Sequence, residues 1–230
     1  MCSMGEAQTK ALLKKYGIPL PEEAVAKSLE EAVSITRKLG YPVVLKILSQ
    51  DILHKTEADG VLLDIKSRAG VERGYREVLK RAKAYKENAR ITGVLIQRQV
   101  QKGREVIVGT LKDRQFGSVV MFGLGGILVE VLKNVSFRIA PIDEKEALKM
   151  VREIKGYPVL EGFRGEPPVD IKAIAKVIAA ASRMAHERED IREMDINPLM
   201  VYPKGALAVD VKIITEGGVG LMKREGPYHL

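Results

Sequence analysis

Near Val100 the sequence changes character, and that change bounds what the chain can fold into. Upstream, helix and strand patterns alternate. A short helical pattern over Lys10 to Leu13 is stopped by Gly17, with Pro19 and Pro21 making an extended exit. Ser28-Leu29-Glu30-Glu31 has capping-box spacing before an apolar stripe of Leu29, Ala32, Val33 and Leu39 that Gly40 ends. A strand is expected from Pro42 to Leu48, a second over Val61 to Ile65, a helix over Val71 to Lys86 and a third strand over Gly93 to Gln97. These elements make a small α+β lobe.

Downstream, glycine and Lys-Asp turns separate short strand patterns: Glu105 to Thr110, Gly117 to Phe122 and Val129 to Val135. Asp143 and Asp170 each open a helix. Two strands, Ile191 to Ile196 and Ala206 to Ile213, close the fold, and the tail after Thr215 is expected to be loose. The organisation expected is a larger lobe from residues 1–20 and 98–230 and a smaller one from residues 21–97. With no Ser/Pro-rich linker between them, the two lobes are expected to share a cleft, a natural ligand site.

Composition removes several function classes. With 230 residues, 46% hydrophobic and 30% charged, the chain has material for both core and surface, so a disordered reading fails. The longest uncharged stretch, Gln115 to Val129, carries four glycines over 15 residues and is too short and interrupted to span a bilayer as a helix. A single cysteine, Cys2, and no basic-then-apolar start make a reducing cytoplasm the expected compartment. The net charge of +8 favours anionic partners without choosing among them. Lys66 to Arg90 holds nine Lys/Arg against three Glu, yet the chain has no Trp and no basic-aromatic module, so a solvated helix face explains that run better than RNA binding.

Four groups carry candidate chemistry. Lys46 interrupts the apolar run Val43-Val44-Leu45-Lys46-Ile47, which fits either a lysine aimed at phosphates or an edge-strand lysine reaching water. Spacing leaves those two readings level. Asp195 and Asn197 share a face at the end of one strand, and Asp210 is the acid of the neighbouring strand pattern, so three oxygens converge as hard-cation ligands. The competing account of Asp195 and Asn197 is a turn before Pro198. Gly123-Leu124-Gly125-Gly126 resembles a phosphate loop only weakly, lacking the Lys-Ser/Thr of a P-loop. His54, flanked by Lys55, Thr56 and Glu57 in a loop between strands, is either solvated or a phosphoryl acceptor.

Taken together, Tyr16-Gly17-Ile18-Pro19, Gly40-Tyr41-Pro42-Val43-Val44-Leu45-Lys46, His54-Lys55-Thr56, Phe116-Gly117, Met121-Phe122-Gly123-Leu124-Gly125-Gly126, Arg164-Gly165 and Asp195-Ile196-Asn197-Pro198-Leu199 resemble the β subunit of ADP-forming acetyl-CoA synthetase. The likeness runs from about Lys10 to Ile214. It implies an α+β ATP-grasp fold with a nucleotide cleft between two lobes, an architecture shared with succinyl-CoA synthetase. The implied reaction takes acyl-CoA, ADP and phosphate to acid, ATP and CoA. The implied partner is a CoA-binding α subunit in an α2β2 assembly, with no membrane or nucleic acid.

The resemblance also implies roles. Lys46 matches the lysine on the nucleotide phosphates, Gln97 to Val100 the interlobe hinge facing adenine, and Glu105 a carboxylate of the nucleotide site. Asn197 and Asp210 match Mg²⁺ ligands, Asp195 an acid that holds metal or orients a phosphohistidine, and His54 a relay histidine. Two departures stand out: Ala58-Asp59 replaces a tighter Gly-Gly ending, and Asn134 stands where an Asp is usual. Other ATP-grasp ligases, including succinyl-CoA synthetase-like enzymes, are the nearest alternative.

Overall fold

The computed structural model describes residues 2–49, 51–52, 57–126, 134–162 and 165–216. The chain divides into two units, one of Leu20–Lys102 and one of Met1–Pro19 with Gly103–Leu230.

The continuous unit is a four-stranded antiparallel sheet with two helices on one face. In chain order it comprises β2 (Glu23–Ala26), α2 (Leu29–Leu39), β3 (Val43–Ser49), β4 (Val61–Ile65), α3 (Arg68–Tyr85) and β5 (Ile91–Arg98). Its strand order is β2-β5-β3-β4. Ser28 caps α2 by accepting from the Glu31 amide, as expected, but Glu31 Oε2 accepts from the Lys27 amide, one residue before the N-cap. Gly40 ends α2 with φ 78°, a conformation that costs glycine nothing. Val43, Leu45, Ile47, Val94 and Ile96 turn one sheet face to Ala32, Val71, Tyr75, Val78 and Ala82 of the helices, and this is the unit's core.

The discontinuous unit begins with β1 (Cys2–Ser3) and α1 (Glu6–Lys15). It continues with β6 (Arg104–Asp113), β7 (Gly117–Leu124), β8 (Val135–Ile139), α4 (Glu144–Glu153) and α5 (Tyr157–Leu160). It ends with α6 (Ile171–Glu187), β9 (Ile191–Val201), β10 (Ala206–Ala208) and β11 (Val211–Thr215). Its seven strands run β1-β11-β9-β6-β7-β8, with β10 paired beside β9. Helices α4 and α6 pack on one face, where Val106, Val108, Val120, Phe122, Met194, Ile196 and Ile213 are buried.

Asp143 and Asp170 cap α4 and α6 through the amides of Glu146 and Ala173. Asp170 also accepts from the Gly205 amide, tying the start of α6 to the β9–β10 turn. Most of the strand pattern over Val129 to Val135 lies outside the described residues, and β8 starts at Val135. The tail from residue 217 also lies outside them. Asn134 is buried and its Oδ1 accepts from the Lys155 amide, so it secures the turn after α4. Among the described residues no helix is long and apolar enough to cross a membrane.

Candidate functional site

In the continuous unit, strand alternation decides what Lys46 does. β3 lies between β5 and β4, so it is not an edge strand. Because Val43, Leu45 and Ile47 face the helices, Val44, Lys46 and Leu48 project from the other face. Gln97 pairs with Val44 and therefore shares the face of Lys46, diagonally across the ladder. Lys46 is 6% exposed and Gln97 2% exposed, which rules out a lysine reaching water from a sheet edge. After β5 the Gln99 amide donates to the Pro42 carbonyl and its side chain accepts from the Asp64 amide. Val100 follows, partly buried, in the connection out of the strand.

In the discontinuous unit, Asn197 sits on a bulge. Val106 pairs with Leu199 and Val108 with Ile196, so β9 spends Asn197 and Pro198 where β6 spends only Ile107. Proline has no amide to give the ladder, which suits it to that extra position. The strand continues past the bulge to Val201, whereas the sequence pattern ended it at Ile196. Freed from β6, the Asn197 amide donates to the Asp210 carbonyl at 3.0 Å, and the Val209 amide donates to the Pro198 carbonyl at 3.1 Å. Asp210 thus lies in the break between β10 and β11 and not within a strand. Both Asn197 and Asp210 are exposed.

Asp195 precedes the bulge on the face away from α4 and α6, since Met194 and Ile196 occupy the helix side. Burial pushes its carboxyl up to about 6, Glu193 and Asp210 push the same way, and Lys212 opposes them. On the neighbouring strand, Ile107 and Glu105 project from the same face as Asp195. Gly125 continues the β6–β7 ladder by donating its amide to the Glu105 carbonyl at 2.8 Å. A Cβ on Gly125 would stand 2.8 Å from Glu105 Cβ, so glycine is there for close approach to β6. This packing role accounts for Gly125 without a phosphate loop.

The donor set suits a hard cation. Among the described residues no three His, Cys, Asp or Glu side chains form a ready-made metal cage. A carboxylate and an amide oxygen on adjacent backbones instead match Mg²⁺, which takes one or two protein oxygens and completes its shell with water and phosphate. The structure therefore groups Asp195, Asn197 and Asp210, with Glu105 on the same sheet face as Asp195, and separately puts Lys46 and Gln97 on one face of the smaller sheet. His54 lies outside the described residues. Sequence reasoning passed over Glu193, Gly109 and Lys212, which flank Asp195. Their signal was present in the alternation of β6, β9 and β11, but only the strand register assigns them to one face.

The ATP-grasp domain family matches residues 3–215. A curated relative, the β subunit of ADP-forming acetate–CoA ligase I from Pyrococcus furiosus, is 50% identical over 209 residues, covering 91% of this chain and 90% of that one. The chain belongs to the ATP-grasp β subunits of ADP-forming acetate–CoA ligases. Solved structures agree with that membership of the ATP-grasp family. Dinucleotide-forming acetyl-coenzyme A synthetase 1 of Ca. Korarchaeum cryptofilum, in complex with coenzyme A and Ca-AMPCP, superposes with a TM-score of 0.91 at 46% identity, covering 94% of each chain. A second structure of that synthetase holds coenzyme A and Mg-AMPPCP, with a phosphohistidine segment pointing towards the nucleotide binding site. It gives a TM-score of 0.81 at 42% identity and covers 93% of each chain. The α+β ATP-grasp fold expected from the sequence is the fold found.

Proposed function

We propose that the chain is the nucleotide-binding subunit of an ADP-forming acetyl-CoA synthetase, converting acyl-CoA, ADP and phosphate to acid, ATP and CoA with a CoA-binding α subunit in an α2β2 assembly. The observation that carries this reading is the backbone hydrogen bond from Asn197 to Asp210, which joins the main chains of two residues with oxygen-bearing side chains in a chain half-identical to a ligase β subunit. A free, exposed Cys2 fits work in a reducing cytoplasm.

Each residue then has a task. Lys46, held rigid by burial, neutralises nucleotide phosphate, and Gln97 to Val100 offer backbone groups to adenine. Asn197 and Asp210 hold Mg²⁺, whose charge, when bound, offsets that of the phosphates. Glu105 supplies a further carboxylate of the nucleotide site. His54 accepts the phosphoryl group on a neutral ring nitrogen. Asp195 orients an incoming imidazole: above pH 6 it is a carboxylate that accepts the N–H of a ring whose other nitrogen carries the phosphoryl group.

Division of labour makes the reading testable. The isolated chain is expected to bind Mg²⁺·ADP in calorimetry, and to form ATP from acetyl-CoA, ADP and phosphate only once the CoA-binding subunit is added. Turnover by the isolated chain would overturn the two-subunit reading. No nucleotide binding at all would overturn the assignment of the site.

A further inference from the structure

The sheet face bearing Asp195 holds one more group that none of these roles uses. Lys212 on β11 is the Cα partner of Asp195, and Gly109 is its partner on the other side. Directly paired residues project from the same face, so Lys212, Asp195, Gly109, Met121 and Phe137 form one row across five strands. Ile213, the next residue, is fully buried on the helix side, which fixes the alternation.

Three carboxylates surround this lysine position. Asp195 is directly across, Glu193 is the partner of Ile214 one same-face step away, and Asp210 precedes Lys212 by two residues. Among the described strand residues of this face, Lys212 is the cationic one. Its charge reaches Asp195, opposing the upward push of burial on that carboxyl. On the opposite flank Gly109 presents no side chain, and Met121 reaches over that position, its Cε 3.2 Å from where a Cβ would stand, so the groups on that flank of Asp195 are apolar.

A surface with three carboxylates repels a phosphoryl group unless cations offset them. The ammonium of lysine is a compact point charge on a flexible stem, able to follow a group that moves. We propose that Lys212 binds the phosphoryl group in transit, donating to a non-bridging oxygen as that group passes between the nucleotide and an imidazole. The proposal rests on the nucleotide-subunit reading above. In the transfer from ATP, the lone pair of the unprotonated imidazole nitrogen forms the N–P bond. The bond from the γ-phosphorus to the β,γ-bridging oxygen breaks, and its electrons leave with ADP. Lys212 gives up no proton; it offsets charge at the transferring group.

The test uses the complex with the CoA-binding subunit and compares wild type, Lys212→Met and Lys212→Arg. Single-turnover labelling of histidine from γ-labelled ATP is measured beside Mg²⁺·ADP affinity and melting temperature. In Lys212→Met the labelling rate is expected to fall about a hundredfold, with nucleotide affinity and melting temperature little changed. Lys212→Arg is expected to recover most of the rate, because it restores the charge. Wild-type labelling in Lys212→Met overturns the proposal, as does a loss that merely follows lowered stability or that arginine does not repair. If wild type itself binds no nucleotide, the nucleotide-subunit reading fails and Lys212 falls with it; binding with normal labelling in the methionine variant sinks Lys212 alone.

Discussion

The backbone amide of Asn197 donates to the carbonyl of Asp210, and this bond links the β9 bulge to the break between β10 and β11. The bulge takes the Asn197 backbone out of the β6 ladder, and Asp210 lies between two strands of the same sheet.

Asp210→Asn is expected to keep this backbone bond and the fold while removing a formal charge from the cation site. Apparent Mg²⁺ affinity in the presence of ADP should fall by about tenfold or more, equivalent to about 1.4 kcal/mol. A Mg²⁺ titration followed by nucleotide fluorescence reads this directly, and an unchanged midpoint would remove Asp210 from the site.

His54→Asn keeps polarity and removes the nucleophilic ring. With the partner subunit and labelled ATP, quenched in base where phosphohistidine survives, wild type should carry label at His54 and the variant none there. Overall turnover in the variant should collapse while ADP binding persists. Full turnover in His54→Asn would make the residue an ordinary loop histidine.

Gly125→Ala tests the close approach at Glu105. The added Cβ would stand 2.8 Å from Glu105 Cβ and 2.9 Å from its carbonyl carbon, a backbone contact that no rotamer relieves. Overpacking of this kind costs about 1–3 kcal/mol. The melting temperature should drop by several degrees, and ADP binding should weaken because the Glu105 segment has to shift.

Helix caps and stop signals were the most legible part of the sequence. Ser28, Asp143 and Asp170 cap where their spacing indicated, because a side-chain oxygen three residues before an unpaired amide is a purely local arrangement. Gly5, the N-cap of α1, makes no side-chain bond, so the first turn from Glu6 carried no signal and the helix read as starting at Lys10. β2 was missed because four residues on an edge strand, just after Pro21, show too little alternation. In the site, Asp195, Asn197 and Asp210 were readable as residue types, whereas the bulge that releases Asn197 depends on the register against β6. The strands beside Asp195, and so Lys212 and Gly109, were likewise fixed by long-range pairing.

Asp51 and Arg90 give a prediction for acid. Asp51 accepts from the Arg90 amide at 2.7 Å and from its guanidinium at 3.1 and 3.2 Å. These bonds hold the carboxyl well down, from its ordinary 3.8 to about 2. A depressed carboxyl contributes stability that is present above its unfolded value and is lost as pH falls through the folded one. Arg90→Met should therefore melt below wild type at neutral pH, with the gap closing between about pH 4 and pH 2. Thermal scans across that range check it, and a gap independent of pH would show that the ion pair adds nothing.

β1 pairs Cys2 with Thr215 and Ser3 with Ile214, so the seven-stranded sheet joins segments as far as 213 residues apart in sequence. During synthesis on a ribosome this sets an order of events. The four-stranded unit has its whole sequence available once Lys102 has emerged, and can fold while the rest is still being made. Its neighbour in the chain has to wait, with α1 and β1 already exposed, until β11 is delivered more than a hundred residues later. Asp210 and Lys212 arrive with that late strand, so the face that carries Asp195 gains its neighbouring lysine only as the larger sheet closes.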